Sequence, residues 1–316
     1  MNWPAALDPK GPEAAAVSGL IWSFTELCAI IWVLVMAGTF IALTWRHAER
    51  PEPIEVSPKN ERRVSWIVSS LAVVTGLIVI SLTVISYAAQ QRIFGLGDGA
   101  VDIDVIGHQW WWEVRYPNAD PSKTVVTANE LHVPVGQLVR LNLTSVDVIH
   151  SFWVPSLMGK ADLVPGRQNT LAFTAGKVGI YNGNCAEFCG LQHAHMGIRV
   201  FADAPADFDE WKQQQAAAAL QPATDAQKAG HSAFMSSPCA SCHNIRGTDA
   251  GGNLGPDLTH LASRSTIAAS TADLSRGTLA AWITDPQNMK PGTNMPTMKI
   301  EPRDLDNLLD YLMGLK

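Results

Sequence analysis

The sequence predicts a chain of three structural kinds in series: a transmembrane helical hairpin, an antiparallel β-sandwich and an all-α domain. Three observations predict it. Two long apolar runs lie near the beginning, at about residues 20–45 and 66–89. From about 93 to 202, apolar and polar residues alternate in short stretches punctuated by Gly, Pro and Asn, the pattern of half-buried strands and tight turns. From about 225 the spacing turns helical around one Cys-x-x-Cys-His stretch. At 316 residues the chain has room for two or three domains. Its net charge of −6 offers nothing to a nucleic acid.

The first apolar run carries one charge, Glu26, and the second carries none. Each exceeds the roughly 20 residues that cross the ~30 Å hydrocarbon layer as a helix. Buried core helices are the plainer alternative, but runs this long and charge-free argue for a membrane. Glu26 is read as an interfacial residue without a function. Arg46, Arg50, Lys59, Arg62 and Arg63 lie between the runs, whereas Lys10 alone precedes them and only Arg92 closely follows. The positive-inside rule puts that connection in the cytoplasm, with both termini and everything after about residue 90 outside. The first run is too long for a signal-peptide core and reads as a retained anchor. Of the five cysteines, Cys28 falls in the first run as a small apolar residue, while Cys185, Cys189, Cys239 and Cys242 fall on the outer side.

Within the sandwich region, 101–106, 139–144 and 170–174 alternate with period two. Two further strands, 178–182 and 197–202, flank Asn184-Cys185-Ala186-Glu187-Phe188-Cys189-Gly190-Leu191-Gln192-His193-Ala194-His195-Met196. Two thiols, an imidazole and a thioether fall within twelve residues there, and His150 lies upstream in Asp147-Val148-Ile149-His150-Ser151-Phe152. Sulfur donors with imidazole select copper, iron–sulfur or zinc. Zinc sites usually pair cysteines as C-x₂-C; here the spacing is C-x₃-C. A thioether is a poor zinc ligand and a good copper one, so the set points to copper. A mononuclear blue-copper site uses one Cys, two His and a Met. The extra cysteine allows two thiolates to bridge two copper ions.

Residues 203–224, with Ala204-Pro205-Ala206 and a Gln- and Ala-rich stretch, read as a linker, either a short helix or a flexible tether. Beyond it, Cys239-Ala240-Ser241-Cys242-His243 is a c-type haem attachment pattern: two thiols for the vinyl groups and an adjacent axial imidazole. A redox disulfide or half a zinc site would need a βαβ context or a second C-x₂-C, and the sequence has neither.

The copper loop, with His150-Ser151-Phe152 and with Gly107-His108-Gln109-Trp110-Trp111-Trp112, resembles the copper A domain of cytochrome c oxidase subunit II. Val154-Pro155-Ser156-Leu157 and Asp162-Leu163-Val164-Pro165-Gly166-Arg167 extend that resemblance, which runs from the first apolar helix to about Ala202. Residues 225–316 resemble class I cytochrome c. Ala229-Gly230-His231 stands where a helix opens toward the attachment motif, Gly255-Pro256-Asp257-Leu258 where the proximal loop lies, and Lys290-Pro291-Gly292-Thr293-Asn294-Met295-Pro296 where the distal Met is carried. The implied architecture is a hairpin within 1–92, a cupredoxin-like sandwich at 93–202, a linker at 203–224 and a cytochrome c domain at 225–316.

The resemblance implies a ligand set. Cys185 and Cys189 bridge a binuclear copper A centre. His193 and the Glu187 carbonyl complete one copper, and His150 and Met196 the other. The Glu187 carboxylate reaches a magnesium or manganese ion shared with subunit I. Trp110 is where electrons come in. Cys239 and Cys242 attach haem c, His243 and Met295 are its axial ligands, and the Pro256 carbonyl orients His243. Met289, Met298, His195, His231 and His260 are read as packing or surface residues. Family members often carry a Glu at the head of the second helix; here Glu61 is shifted, and it is given no role. Together these imply the electron-input subunit of a bacterial oxidase in the plasma membrane, multi-pass, with copper and haem domains on the outer face. Its partners are subunit I, subunit III, membrane lipid, and an upstream cytochrome c or bc-type complex. Alternatives are a copper-A nitric oxide reductase subunit and a tethered copper carrier or assembly factor. A nitrous oxide reductase lacks the anchors, and a quinol oxidase subunit lacks the copper ligands.

Overall fold

A computed structural model describes residues 6–45, 58–93 and 101–316. Arg46 and Arg50 of the expected cytoplasmic connection lie outside the described residues. Helices α1 (Pro12–Trp45) and α2 (Pro58–Ile93) contain the two apolar runs. Both are long and apolar enough to cross a membrane. Each begins before its apolar run, because a Pro at the helix start and an acid in the first turn, Glu13 or Glu61, favour initiation there. Lys59, Arg62 and Arg63, expected in the connection, are therefore in the first turns of α2. Leu34, Phe40, Val73 and Ile80 point outward, as lipid-facing side chains do. Thr25, Thr39, Thr75 and Thr83 return their hydroxyls to carbonyls four residues back, at 2.7–2.9 Å, so these four hydroxyls are paired within their own helix.

The sandwich is built from β1 (Val101–His108), β2 (Trp111–Tyr116), β3 (Val125–Ala128), β4 (Glu130–Pro134), β5 (Leu138–Ser145), β6 (His150–Trp153), β7 (Ala161–Leu163), β8 (Asn169–Thr174), β9 (Gly179–Cys185) and β10 (Gly197–Asp203). One sheet has the order β3-β2-β1-β5-β8 and the other β4-β10-β9-β6-β7. Strand β5 shows how the sequence builds it: Val139, Leu141 and Leu143 are buried, while Arg140, Asn142 and Thr144 face outward. Burying three such side chains contributes about 1.5–3 kcal/mol each. Most pairings are antiparallel, but β1 runs parallel to β5 and β4 parallel to β10. Those two pairs arise because the chain passes from one sheet to the other after β3 and returns at β5. Trp112, Phe152 and Phe173 fill the space between the sheets.

Residues 203–224 hold α3 (Pro205–Ala216). Its Phe208 is buried in the sandwich core, and its Trp211 stacks on His132 at 4.0 Å and meets Tyr116 edge-on at 5.1 Å. The helical alternative for this segment is the one that forms, and it is packed. Ala219, just beyond, belongs to the next core.

That core is helical: α4 (Asp225–Ser236), α5 (Cys239–Cys242), α6 (Arg276–Thr284), α7 (Pro286–Met289) and α8 (Pro302–Leu312), with a two-stranded ribbon of β11 (Thr266–Ile267) and β12 (Ala272–Asp273) that the helical spacing did not announce. Helix α4 starts at a capping box of Thr224 and Gln227, so Ala229-Gly230-His231 lies inside the helix and does not open it. Gly230 sits where α4 crosses α8: a Cβ there would stand 1.9 Å from the Asn307 carbonyl oxygen. Phe234, Leu308, Leu309 and Tyr311 close the core around that crossing.

Candidate copper and haem centres

Four elements bring the copper-loop donors together. His150 opens β6, Cys185 ends β9, and Phe152 pairs with Cys185 across those strands. Met196 immediately precedes β10, and its carbonyl accepts from the Cys185 amide at 3.0 Å, closing the base of the loop. His193 and Cys189 lie in the loop itself. The Cys185 and Cys189 sulfurs are 3.8 Å apart. His150 Nδ1 is 4.0 Å from Cys185 Sγ, and His193 Nδ1 is 3.7 Å from Cys189 Sγ. Met196 Sδ is 3.9 Å from Cys189 Sγ, and the Glu187 carbonyl accepts from Cys185 Sγ at 3.2 Å. Five side chains and one carbonyl thus converge. His150, Cys185, Cys189 and Met196 are all buried, whereas the Glu187 carboxylate is exposed.

The surroundings fix this geometry. Gly107 on β1 lets the His150 ring lie against the strand, since a Cβ there would stand 2.7 Å from its Cδ2. Asp147 Oδ1 holds His150 Nε2 at 2.8 Å, which turns Nδ1 toward the sulfurs. Burial alone pulls His150 down, but the bonds to Asp147 and Cys185 outweigh it and leave its pKa above the usual range. The contact between the two sulfurs, more than anything else, pulls Cys185 down to about 3 and pushes Cys189 up. A buried pair of soft donors that resists carrying two negative charges alone suits cationic copper. Deep burial of four donors is the opposite of the exposed, exchangeable ligands a copper carrier needs.

Trp110 is 7% exposed, and its indole N–H donates to the Cys189 carbonyl at 2.9 Å. Gln109 Nε2 donates to the same oxygen at 2.8 Å. Trp112 stands edge-on to His150, with ring centroids 6.0 Å apart, and its Nε1–H donates to the Met196 carbonyl at 3.3 Å. Trp111 stacks on His108 at 4.1 Å.

In the helical domain, Cys239 and Cys242 sit one turn apart on α5 and His243 is its C-cap. His243 Nδ1–H donates to the Pro256 carbonyl at 2.7 Å, which leaves Nε2 for a ligand. Burial pushes the His243 pKa down, so the neutral, ligating form is favoured. Gly255 lies against the ring; a Cβ there would stand 2.5 Å from Cε1. Arg264 is held by the Asp257 carbonyl, and its buried Nε has no partner among the described residues. Such an orphaned donor fits the carboxylate of a haem. Met295 is half-buried, and its carbonyl and that of Thr293 accept from Gln287 Nε2 at 3.2 and 2.8 Å. His260 is a core residue between the carbonyls of Ala217 and Lys316.

Sequence reasoning missed Asp147, Gln109, Arg264 and Lys290. Only Asp147 left a signal, as a carboxylate three residues before a candidate ligand. Lys290 is 2% exposed, and its Nζ donates to the carbonyls of Trp110 (2.9 Å) and Ala268 (3.3 Å).

Residues 120–202 match the family described as cytochrome c oxidase subunit II, periplasmic domain, and residues 227–316 match the cytochrome c family. The chain is 32% identical to cytochrome c oxidase subunit 2 of Alkalihalophilus pseudofirmus, across 98% of this chain and 90% of that one. It is 28% identical to the subunit of the same name from Bacillus subtilis, across 86% and 79%, and 29% identical to that of Bacillus sp. (strain PS3), across 85% and 78%. A copper A domain, a haem c domain and an association with subunit I go with that kinship. The chain belongs to the cytochrome c oxidase subunit II family, in the form that carries a cytochrome c domain on the same membrane-anchored polypeptide.

Proposed function

We propose that this chain is the electron-input subunit of a terminal oxidase. When bound, haem c and a copper pair supply one-electron redox chemistry, on a path from an external donor through haem c to copper A and on to the haem of subunit I, where oxygen is reduced to water with proton pumping. Cys185 and Cys189 would bridge the two coppers, His193 and the Glu187 carbonyl would complete one, and His150 and Met196 the other. Cys239 and Cys242 would hold haem c, with His243 and Met295 as axial ligands and Pro256 fixing the imidazole. The observation that carries this reading is the convergence of five donor side chains, four of them buried, and one backbone carbonyl, in a chain that also bears a haem attachment motif.

The roles of the remaining residues follow from chemistry. Asp147 sets the tautomer and direction of His150. The buried walls, Trp112 and Phe152 among them, exclude water and keep the donor set rigid, which favours electron transfer because little reorganises. The exposed Glu187 carboxylate is a hard oxygen donor suited to magnesium or manganese at the contact with subunit I. Trp110 links the electron-receiving face to the Cys189 carbonyl. The domains run 1–92, 93–202, 203–224 and 225–316. The chain sits in a bacterial plasma membrane as a two-span protein, with its copper and haem domains outside. Subunit III and an upstream cytochrome c or bc-type complex complete the assembly.

Metal analysis of the purified chain tests the ligand assignment. Two coppers and one haem iron per chain are expected, falling to haem iron alone in Cys189→Ser. A single copper, or copper retained in that variant, would contradict the binuclear site.

A further inference from the structure

The haem-bearing domain rests on the sandwich through a set of buried polar contacts. Glu130 on β4, 4% exposed, accepts from the Ser265 amide (2.7 Å), the Ser265 hydroxyl (2.6 Å) and the Thr266 amide (3.2 Å). Those contacts anchor the edge of the interface. Its centre is the loop that carries Met295. Lys290 Nζ donates to the Trp110 carbonyl, Asn294 Nδ2 to the Gln109 carbonyl at 3.0 Å, and Gln192 Nε2 to the Pro291 carbonyl at 2.6 Å.

Gln109 and Trp110 face both ways. Their carbonyls accept from Lys290 and Asn294, and their side chains both donate to the Cys189 carbonyl. One dipeptide therefore joins the Met295 loop to a copper-ligand candidate by short hydrogen bonds alone.

Two features mark this as built for a purpose beyond packing. Lys290 is a buried ammonium with two carbonyls as its hydrogen-bond partners and no ion pair among the described residues. Burial pushes its pKa down to about 7. A leucine or methionine would fill such a place without that cost. The second Lys290 acceptor, Ala268, opens three successive non-glycine residues in the left-handed region, Ala268, Ala269 and Ser270, at φ 54, 57 and 61°. L-residues seldom adopt that conformation. It aims the Ala268 carbonyl at Lys290 and the Ala269 carbonyl at the Gly197 amide (3.0 Å), the residue after Met196.

We propose that Lys290 and Asn294 are positioning residues that lock the Met295 loop onto the Gln109–Trp110 peptide, and so hold the attached haem domain in one transfer-competent seat beside the copper loop. The proposal rests on the electron-input reading for its purpose, but not for its structure. In the step it serves, one electron leaves ferrous haem c, which becomes ferric, and the copper pair gains it; no proton or bond changes hands at Lys290. With the domain locked, transfer does not wait for a docking event, and the Trp110 face is closed to a separate protein donor.

The test uses the full detergent-solubilised chain as wild type, Lys290→Met, Asn294→Ala and, as a control, Lys299→Gln at an exposed lysine of the same region. Hydrogen–deuterium exchange is read at residues 107–112 and 286–296, and haem-to-copper electron transfer is followed after photoreduction of the haem. In Lys290→Met and Asn294→Ala, exchange in both segments should rise at least tenfold while β5 and α8 stay protected. Transfer should slow at least tenfold with unaltered haem and copper spectra, and Lys299→Gln should change nothing. Unchanged exchange in both variants would overturn the lock, and faster exchange with unchanged transfer would overturn its positioning role. Absence of transfer in the wild type, with the exchange pattern as expected, would overturn the electron-input reading and leave the lock standing.

Discussion

Gly107→Ala is a small change that should disturb the copper site without replacing a donor. An added Cβ would stand 2.7 Å from His150 Cδ2 and 3.1 Å from Cγ, where an ordinary contact begins at about 3.4 Å. The ring must therefore yield by about 0.7 Å. It has little room: His150 is fully buried, Trp112 stands edge-on to it, and Asp147 holds Nε2 at 2.8 Å. Overpacking of this kind costs about 1–3 kcal/mol, and weakening a charge-assisted hydrogen bond falls in the same range. We expect the variant to lose about 1–3 kcal/mol in the unfolding of the sandwich, followed by tryptophan fluorescence on the full chain, and to shift the copper absorption bands. Gly159→Ala is the control, since a Cβ there meets nothing within 4 Å. A Gly107→Ala protein with wild-type stability and spectrum would refute the claim that β1 sets the His150 position.

Three further outcomes are expected. Gly230→Ala should destabilise the haem domain by about 2 kcal/mol or more, because α8 must retreat from a Cβ that would lie 1.9 Å from the Asn307 carbonyl oxygen; denaturant titration of the full chain, followed by the haem band, measures it. Met196→Leu should perturb the copper spectrum and leave the haem spectrum intact, and an unchanged copper spectrum would remove Met196 from the ligand set. At Glu113 burial pushes the pKa up, but the bonds from His108 and Arg115 outweigh it and the net shift is downward from 4.5. A depressed carboxylate contributes stability that is present above its unfolded value near 4.5 and is lost as pH falls through the lower folded value. Glu113→Gln should therefore flatten the acid limb of the stability curve below about pH 4.5 relative to neutral pH, as thermal melts across that range would show.

The hairpin, the sandwich and the helical domain were legible because each rests on local periodicity. Leu141 and Leu143 on β5 announce a strand by alternation alone, and charge-free runs announce α1 and α2. The copper donors were legible because four of them lie in one loop and chemistry limits what two thiols, an imidazole and a thioether can hold. What stayed hidden was long-range. Nothing in the local pattern around Lys290 says that its ammonium lies under the Trp110 carbonyl, 180 residues away in sequence. The two parallel pairings, β1 with β5 and β4 with β10, depend on how the chain switches sheets, which alternation does not encode. The left-handed run at 268–270 carries no glycine to betray it. Asp147 was visible only as one more acid in a polar turn, until the fold brought it to His150.

The most direct test of the electron-input role pairs oxygen uptake with haem reduction in the complex purified through this chain. Wild-type and Cys185→Ser complexes are fed an electron donor that reduces haem c, and oxygen is followed with and without cyanide. The expected result is cyanide-sensitive uptake in the wild type, and in Cys185→Ser a haem c that becomes fully reduced and stays so while oxygen consumption stops. Undiminished oxygen uptake in Cys185→Ser would contradict a route through the copper loop.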